Sequence, residues 1–266
     1  MADPIHQFQV TPLPGMDFGE VTLPLVGTVH LAFTNSHLAM TVAFLIIVGF
    51  LTLVTASPKV VPGRLQTVGE GAYGMIDNLV ESIIGHGGKA LFPFVFTVFL
   101  FILAMNMLGM FLTFTATSQL AVTGTFAILT IGLVLIIGFA KHGLGFFKLF
   151  VPSGVPIVLL PVIVIIEFVS FLLRPVTLAL RLFGNMLGGH VALKVFAGFV
   201  VSLGAIPFAA DAGMLSWLAI PAAGLSLFMV VGLTALEFLV AFLQAFVFAV
   251  LTCIYLNDVV NLGHGH

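Results

Sequence analysis

Two stretches of this sequence, 156–203 and 214–256, each stay predominantly apolar for more than 40 residues. A helix of that length measures roughly 60–70 Å at 1.5 Å per residue, twice the ~30 Å hydrocarbon core of a bilayer. Each stretch therefore holds either two spans or one long, strongly tilted helix. Turn signals inside them are sparse, Pro161 and Pro175 in the first and Pro221 with Gly224 in the second, so two long tilted helices are expected. Only 7% of the 266 residues are charged, against about 25% in soluble domains. Water cannot surround most of such a surface, and the chain is expected to be an all-α integral membrane protein.

Composition excludes other classes. Eight Lys and Arg against ten Asp and Glu, a formal net charge of −2, leave too little positive charge to neutralise a nucleic-acid backbone. The single cysteine, Cys253, rules out an intramolecular disulfide and a Cys-rich metal site. It reads as a small apolar residue inside a helix.

About five spans are expected, at about 38–56, 92–114, 120–140, 156–203 and 214–256, the last two as a hairpin. Residues 1–35 contain Pro4, Pro12, Pro14 and Pro24 but no Lys or Arg, so the positive region of a secretory signal is missing. This is expected to be a retained extramembrane segment, with 36–266 forming a single membrane domain. Between about 65 and 85, Leu65, Val68, Tyr73, Ile76, Leu79, Val80, Ile83 and Ile84 recur at three and four residues among charged neighbours. That spacing marks an amphipathic helix at the membrane surface or against another subunit. Gly85-His86-Gly87-Gly88-Lys89 lacks the first glycine of a phosphate loop, since Ile83 stands there, and reads as a turn. Lys59 and Arg64 follow the first span and Lys141 and Lys148 the third. Positive charge marks the cytoplasmic face, so the N-terminus is expected outside and the C-terminus in the cytoplasm.

Residues 167–194 place five ionisable side chains in an apolar segment: Glu167, Arg174, Arg181, His190 and Lys194. A charge at the bilayer centre costs on the order of 2.5–3.5 kcal/mol even on a lenient scale, so each needs a reason. Glu167, Arg174 and Arg181 are spaced seven and seven, and seven steps of 100° return to within about 20° of the start. With Thr177 and Asn185 they form a polar seam that suits an ion path. Gly184, Gly188 and Gly189 permit close approach of a static partner helix or of a moving surface. Arg181 stays protonated at physiological pH, so it suits an electrostatic gate that pairs with a passing carboxylate.

The last stretch carries a second stripe, with Glu237 and Gln244 seven apart and Thr234 near the same side. In an antiparallel hairpin Glu237 approaches either His190 or the Glu167 end, depending on register. Glu and His both exchange protons when buried beside suitable neighbours. The competing reading of Glu237 is a structural acid paired with arginine, and that of His190 a neutral, hydrogen-bonded imidazole. Asn106 reads equally as a polar strut or as part of an ion path. His264 and His266 read as a solvated tail.

Leu180-Arg181-Leu182-Phe183-Gly184-Asn185-Met186, the run Leu243-Gln244-Ala245-Phe246 through Tyr255-Leu256, Asn35-Ser36-His37-Leu38 and Met105-Asn106 resemble subunit a of the F-type ATP synthases over nearly the whole chain. The resemblance implies a five-span stator subunit with an outside N-terminus and a surface helix, and two tilted helices against a rotating proteolipid ring. It implies that Arg181 is the family's essential arginine, facing the ring carboxylate between two half-channels. Asn185 and Gln244 then match its polar neighbours, and Glu167, His190 and Glu237 match half-channel positions. Some bacterial members carry Glu at the position of His190 and His at that of Glu237, whereas this chain has the arrangement also seen in mitochondrial members. The implied partners are the ring (subunit c), the peripheral stalk (subunit b) and the rest of the synthase. No cofactor, metal or catalytic residue is implied, and ATP is not expected to bind this chain. A bacterial plasma membrane is favoured over the mitochondrial inner membrane, because the N-terminal segment is long and lacks an Arg-rich transit sequence.

Protons would enter from outside near Glu237, His190 and Glu167 and neutralise the ring carboxylate. Two other readings compete. A self-contained antiporter would show paired halves with interrupted helices, and no internal repeat is visible. A non-conducting scaffold would use the buried charges only to fix helix register.

Overall fold

The computed structural model describes residues 10–23, 27–56, 58–111, 115–151, 159–208 and 217–262. The helix starts expected at 156 and 214, the span end at 114, Asp211, His264 and His266 lie outside these residues. Strand β1 (Pro12–Leu23) pairs antiparallel with β2 (Gly27–Thr34). Helices follow at α1 (Asn35–Thr55), α2 (Arg64–Ile84), α3 (Phe92–Phe111), α4 (Leu120–His142), α5 (Leu160–Ala205) and α6 (Ala219–Val260).

Among the described residues, five helices are long and apolar enough to cross a membrane: α1, α3, α4 with the 3₁₀ turns that extend it to Phe150, α5 and α6. The two long stretches are single helices of 46 and 42 residues. Pro175 sits inside α5 and removes one backbone donor there without ending the helix. At roughly 60–70 Å, neither helix fits upright in a ~30 Å core. α2 is the amphipathic helix, burying Gly69, Ile76, Val80 and Ile84 on one side. It stops at Gly85, whose φ of +77° suits glycine and whose N–H reaches Glu81 O at 3.0 Å.

The β-hairpin is an addition to the sequence expectation for the N-terminal segment. Its register slips twice between Pro12 and Glu20, where Gly15 and Gly19 take φ of +82° and +86°. It joins the membrane helices through Thr34, whose backbone N–H donates to His37 Nδ1 at 3.3 Å across the start of α1. Asn35 N–H also bonds Thr11 O at 3.1 Å.

α5 and α6 make the most extensive helix contact, and α3 and α4 pack behind them. Ile76, Val95, Phe99, Ile102, Val134, Phe146, Leu178, Leu182, Phe248, Ala249 and Leu256 form one buried cluster. Lys141 Nζ donates to Val260 O at 2.8 Å, His142 Nε2 lies 2.9 Å from Val259 O, and Asn261 Nδ2 donates to Ile84 O at 3.1 Å. These bonds satisfy carbonyls at the C-terminal ends of α6 and α2 and gather the ends of α2, α4 and α6 on one side. One face of α5, opposite this core, is left outside.

Candidate functional site

Three polar contacts cross from α5 to α6. Arg174 meets Asp258, Asn185 meets Gln244 and His190 meets Glu237. The partner's number falls as the α5 number rises, so the two helices form an antiparallel hairpin. Of the two registers open to Glu237, this one faces it to His190.

At the end of the hairpin near the α5–α6 turn, His190 Nδ1 lies 4.0 Å from Glu237 Oε2, and each side chain is only 12% exposed. His190 Nε2 lies 3.0 Å from the hydroxyl of Thr115 in the α3–α4 connection. Glu237 fits because the α5 position against it is glycine: a Cβ on Gly189 would come within 3.1 Å of the Glu237 Cδ. Asn106 is fully buried on α3 and donates from Nδ2 to Ala241 O at 3.1 Å, which makes it a strut to α6. Asn106 Oδ1, Thr117 Oγ1, both Glu237 oxygens and Gln244 Nε2 are buried with no hydrogen-bond partner among the described residues. Buried polar atoms are normally satisfied by protein or by water. Ordered water is one way to satisfy such a set.

At the other end, Arg174 is held from four directions. Nη1 donates to Asp258 Oδ2 at 2.7 Å and Nη2 lies 3.5 Å from Glu167 Oε1. The guanidinium carbon stands 5.0 Å from the Tyr255 ring centroid and 5.5 Å from that of Phe171. Beside it, Ile166, Val169, Ser170, Leu173, Arg174 and Thr177 line an open groove of about 440 Å³. Glu167 therefore belongs to this end. It does not join His190, from which it is separated by 23 residues of continuous helix, about 35 Å.

Arg181 lies between the two groups, about 10 Å along the axis from Arg174 and about 14 Å from His190. It is exposed and makes no ion pair with any described residue. One turn on, Asn185 Nδ2 donates to Gln244 Oε1 at 2.8 Å, anchoring the exposed face to buried α6. Thr177, Gly184 and Gly188 are exposed on the same face, and a Cβ at either glycine would meet nothing within 4 Å. Close approach by a surface from another chain is open along this stripe, with a bare cation in its middle.

The sequence model of the ATP synthase A chain family matches residues 37–257. The chain belongs to the ATP synthase A chain family. "ATP synthase subunit a" of Chelativorans sp. (strain BNC1) is 51% identical over 263 residues, covering 98% of this chain and 99% of that protein. The protein of the same name from Rhizobium leguminosarum bv. trifolii (strain WSM2304) is 50% identical over 265 residues, covering 99% of each. "ATP synthase subunit a 1" of Brucella anthropi is 51% identical over 263 residues, 98% of this chain and 99% of that one. The chain is thus a multi-pass membrane protein and the non-catalytic, proton-translocating subunit of its synthase.

Sequence reasoning missed Thr115 and Asp258. Thr115 gave no signal, because a hydroxyl in a five-residue polar connection looks like a turn residue. Asp258 did give one: it and Glu237 are the acids of α6, and facing Glu237 to His190 brings Asp258 near Arg174. Replacing Arg174 with Gln leaves Glu167 and Asp258 facing each other without their cation. The expected loss is about 1–3 kcal/mol, below the ~3–5 of a fully buried pair, because the two acids keep 35% and 30% exposure. The measurement is the temperature at which the detergent-extracted complex loses this subunit. An unchanged temperature would show that the cluster does not hold the hairpin.

Proposed function

We propose that this subunit carries protons to and from the proteolipid ring (subunit c) through two half-channels separated by Arg181. The supporting observation is the position of Arg181: exposed, halfway along α5, without a carboxylate partner among the described residues. A bare guanidinium at membrane depth is costly, so its counterion comes from another chain, and a ring carboxylate supplies it. The outside half-channel runs by Thr117, His190, Glu237 and Asn106. The cytoplasmic one opens by the groove at Ser170 and Thr177, with Glu167, Arg174 and Asp258 at its wall. A proton from outside neutralises the ring carboxyl, which then faces lipid as the ring turns. On the cytoplasmic side the carboxyl loses its proton, and the anion is drawn to Arg181 instead of returning the short way. Across 100 mV each proton brings about 2.3 kcal/mol.

The orientation has the N-terminus outside and the C-terminus in the cytoplasm of a bacterial inner membrane. Lys141 bonds the end of α6, and Lys89 follows the end of α2 that Asn261 bonds, which supports this assignment. Residues 1–35 are extramembrane and 36–266 a single membrane domain. The peripheral stalk (subunit b) is a further partner in this reading.

Cysteines introduced at Thr177 or Gly184 are expected to cross-link to a cysteine beside the carboxylate of the ring's outer helix, and to block ATP-driven pumping when they do. A cysteine at buried Val134 is the control. No cross-link from either stripe position, in a complex that assembles, overturns the ring-facing assignment.

A further inference from the structure

The geometry points to Thr115 as a positioning residue that holds His190 in the Nε2–H tautomer, leaving Nδ1 to exchange the proton with Glu237. The inference rests on the reading of His190 and Glu237 as part of the outside half-channel and goes one step further, to which nitrogen does the work.

A threonine hydroxyl has one hydrogen to donate and lone pairs to accept with. Thr115 Oγ1 donates to Gly109 O at 3.3 Å, near the end of α3. With its hydrogen placed there, the oxygen accepts at 3.0 Å from His190 Nε2–H. The other ring nitrogen is then the basic one, and it is the one 4.0 Å from Glu237 Oε2. Which tautomer a histidine adopts follows from the bond its other nitrogen makes.

Thr115 is fixed in this place. It is 3% exposed, its carbonyl accepts from Ser118 Oγ at 2.6 Å, and the turn after it, Ala116–Ser118, is buried throughout. Gly109 is shaped to it, since a Cβ there would lie 2.9 Å from Thr115 Oγ1 and 3.1 Å from its Cβ. On the far side Gly189 makes the equivalent room for Glu237. Two glycines thus seat a hydroxyl and a carboxyl against opposite nitrogens of one imidazole.

The step balances with one proton. Nδ1 of neutral His190 takes a proton arriving from outside and becomes imidazolium. The Nδ1–H bond then breaks as an O–H bond forms on the Glu237 carboxylate, and two charges become none. At 4.0 Å the transfer needs a small approach of the two side chains or one bridging water. In the other tautomer Nδ1 already carries hydrogen and has no lone pair to receive with. Among the described residues, the charged groups facing the imidazole include Glu237 from α6 and Lys194 from its own helix, and the α3–α4 connection brings the Thr115 hydroxyl to it.

The test uses the assembled complex in lipid bilayers with ¹⁵N-labelled histidine, the His190 signal being assigned by its loss in His190→Gln. Passive proton flux through the membrane sector, after removal of the catalytic head, is the second readout. Wild type is expected to show protonated Nε2 and bare Nδ1 in the neutral ring. Thr115→Val is expected to mix the tautomers and lower the flux about two- to threefold, since an even mixture halves the competent population. Thr115→Ser restores both, and Gly109→Ala, which crowds Thr115 out, gives the Val phenotype without touching the hydroxyl. In a His190→Gln background Thr115→Val is expected to add nothing. The proposal is overturned if the Nε2–H signal and the flux survive Thr115→Val. It is equally overturned if the flux loss persists in the His190→Gln background. Wild-type flux in both His190→Gln and Glu237→Gln instead sinks the half-channel reading beneath it, whatever the tautomer does.

Discussion

Inverted membrane vesicles carrying Arg181→Ala are expected to lose ATP-driven acidification while the complex still assembles. The two halves of that outcome follow from different observations. Assembly survives because Arg181 is exposed and has no ion pair with a described residue, so its removal strands no internal partner. Pumping fails because the ring's carboxylate anion then has no cation to meet at membrane depth. The penalty for such a charge is on the order of 2.5–3.5 kcal/mol, which slows each passage about a hundredfold by rate arithmetic. With several passages in every ATP cycle, acidification falls to background. A second consequence is leakage, because nothing now stops a carboxyl from crossing between the half-channels by the short route. Arg181→Lys keeps the charge but loses the planar fork and is expected to recover only a small part of the activity. Assembly is followed by detergent extraction and pumping by the pH in the vesicle interior. An assembled Arg181→Ala complex that pumps normally would make the polar stripe structural, as the scaffold reading has it.

Much of the membrane architecture was legible because lipid imposes simple rules. Apolar length identified the five crossing helices, and the scarcity of turn residues in the two long runs favoured single helices, which α5 and α6 are. The β-hairpin was not legible, because Pro12, Pro14, Gly15 and Gly19 interrupt the alternation that marks a strand and the pairing itself is bulged. Within α5, the seven-residue spacing put Glu167, Arg174 and Arg181 on one stripe but said nothing about where along the membrane each acts. About 20° of drift per step and the crossing of α6 turn Arg174 inward, onto Tyr255 and Asp258, and leave Arg181 outside. The glycine cluster also divided. Gly184 and Gly188 open the outer face, whereas Gly189 seats the Glu237 carboxyl. Spacing on one helix cannot make that distinction, because it depends on the register of a partner some fifty residues away. Arg174 with Asp258 and Asn185 with Gln244 fix that register, and the first of these pairs includes an acid that the sequence reading passed over.

The register leads to a prediction about the pair itself. His190 and Glu237 face each other across the hairpin at 4.0 Å, so what each position requires is set by the other. Changing His190 to Glu alone sets two carboxyls side by side at largely buried positions, where the first to ionise opposes the second. Changing Glu237 to His alone removes the acid and sets two imidazoles together. Each single variant is expected to lower pumping by tenfold or more. The double variant restores one acid and one imidazole, and is expected to recover well above the product of the two single effects. Recovery stays incomplete for two structural reasons. A histidine at 237 must fit against Gly189, in space shaped for a carboxyl, and Thr115 meets a carboxyl at 190 in place of a ring nitrogen. The measurement is ATP-driven acidification for all four combinations in one vesicle preparation, corrected for the amount of assembled complex. A positive interaction energy of 0.5–3 kcal/mol is the range for residues in contact, corresponding to roughly 2- to 150-fold in rate. Strict additivity would mean that the two side chains act at separate points of the path, and the reading of them as a relay would then be wrong.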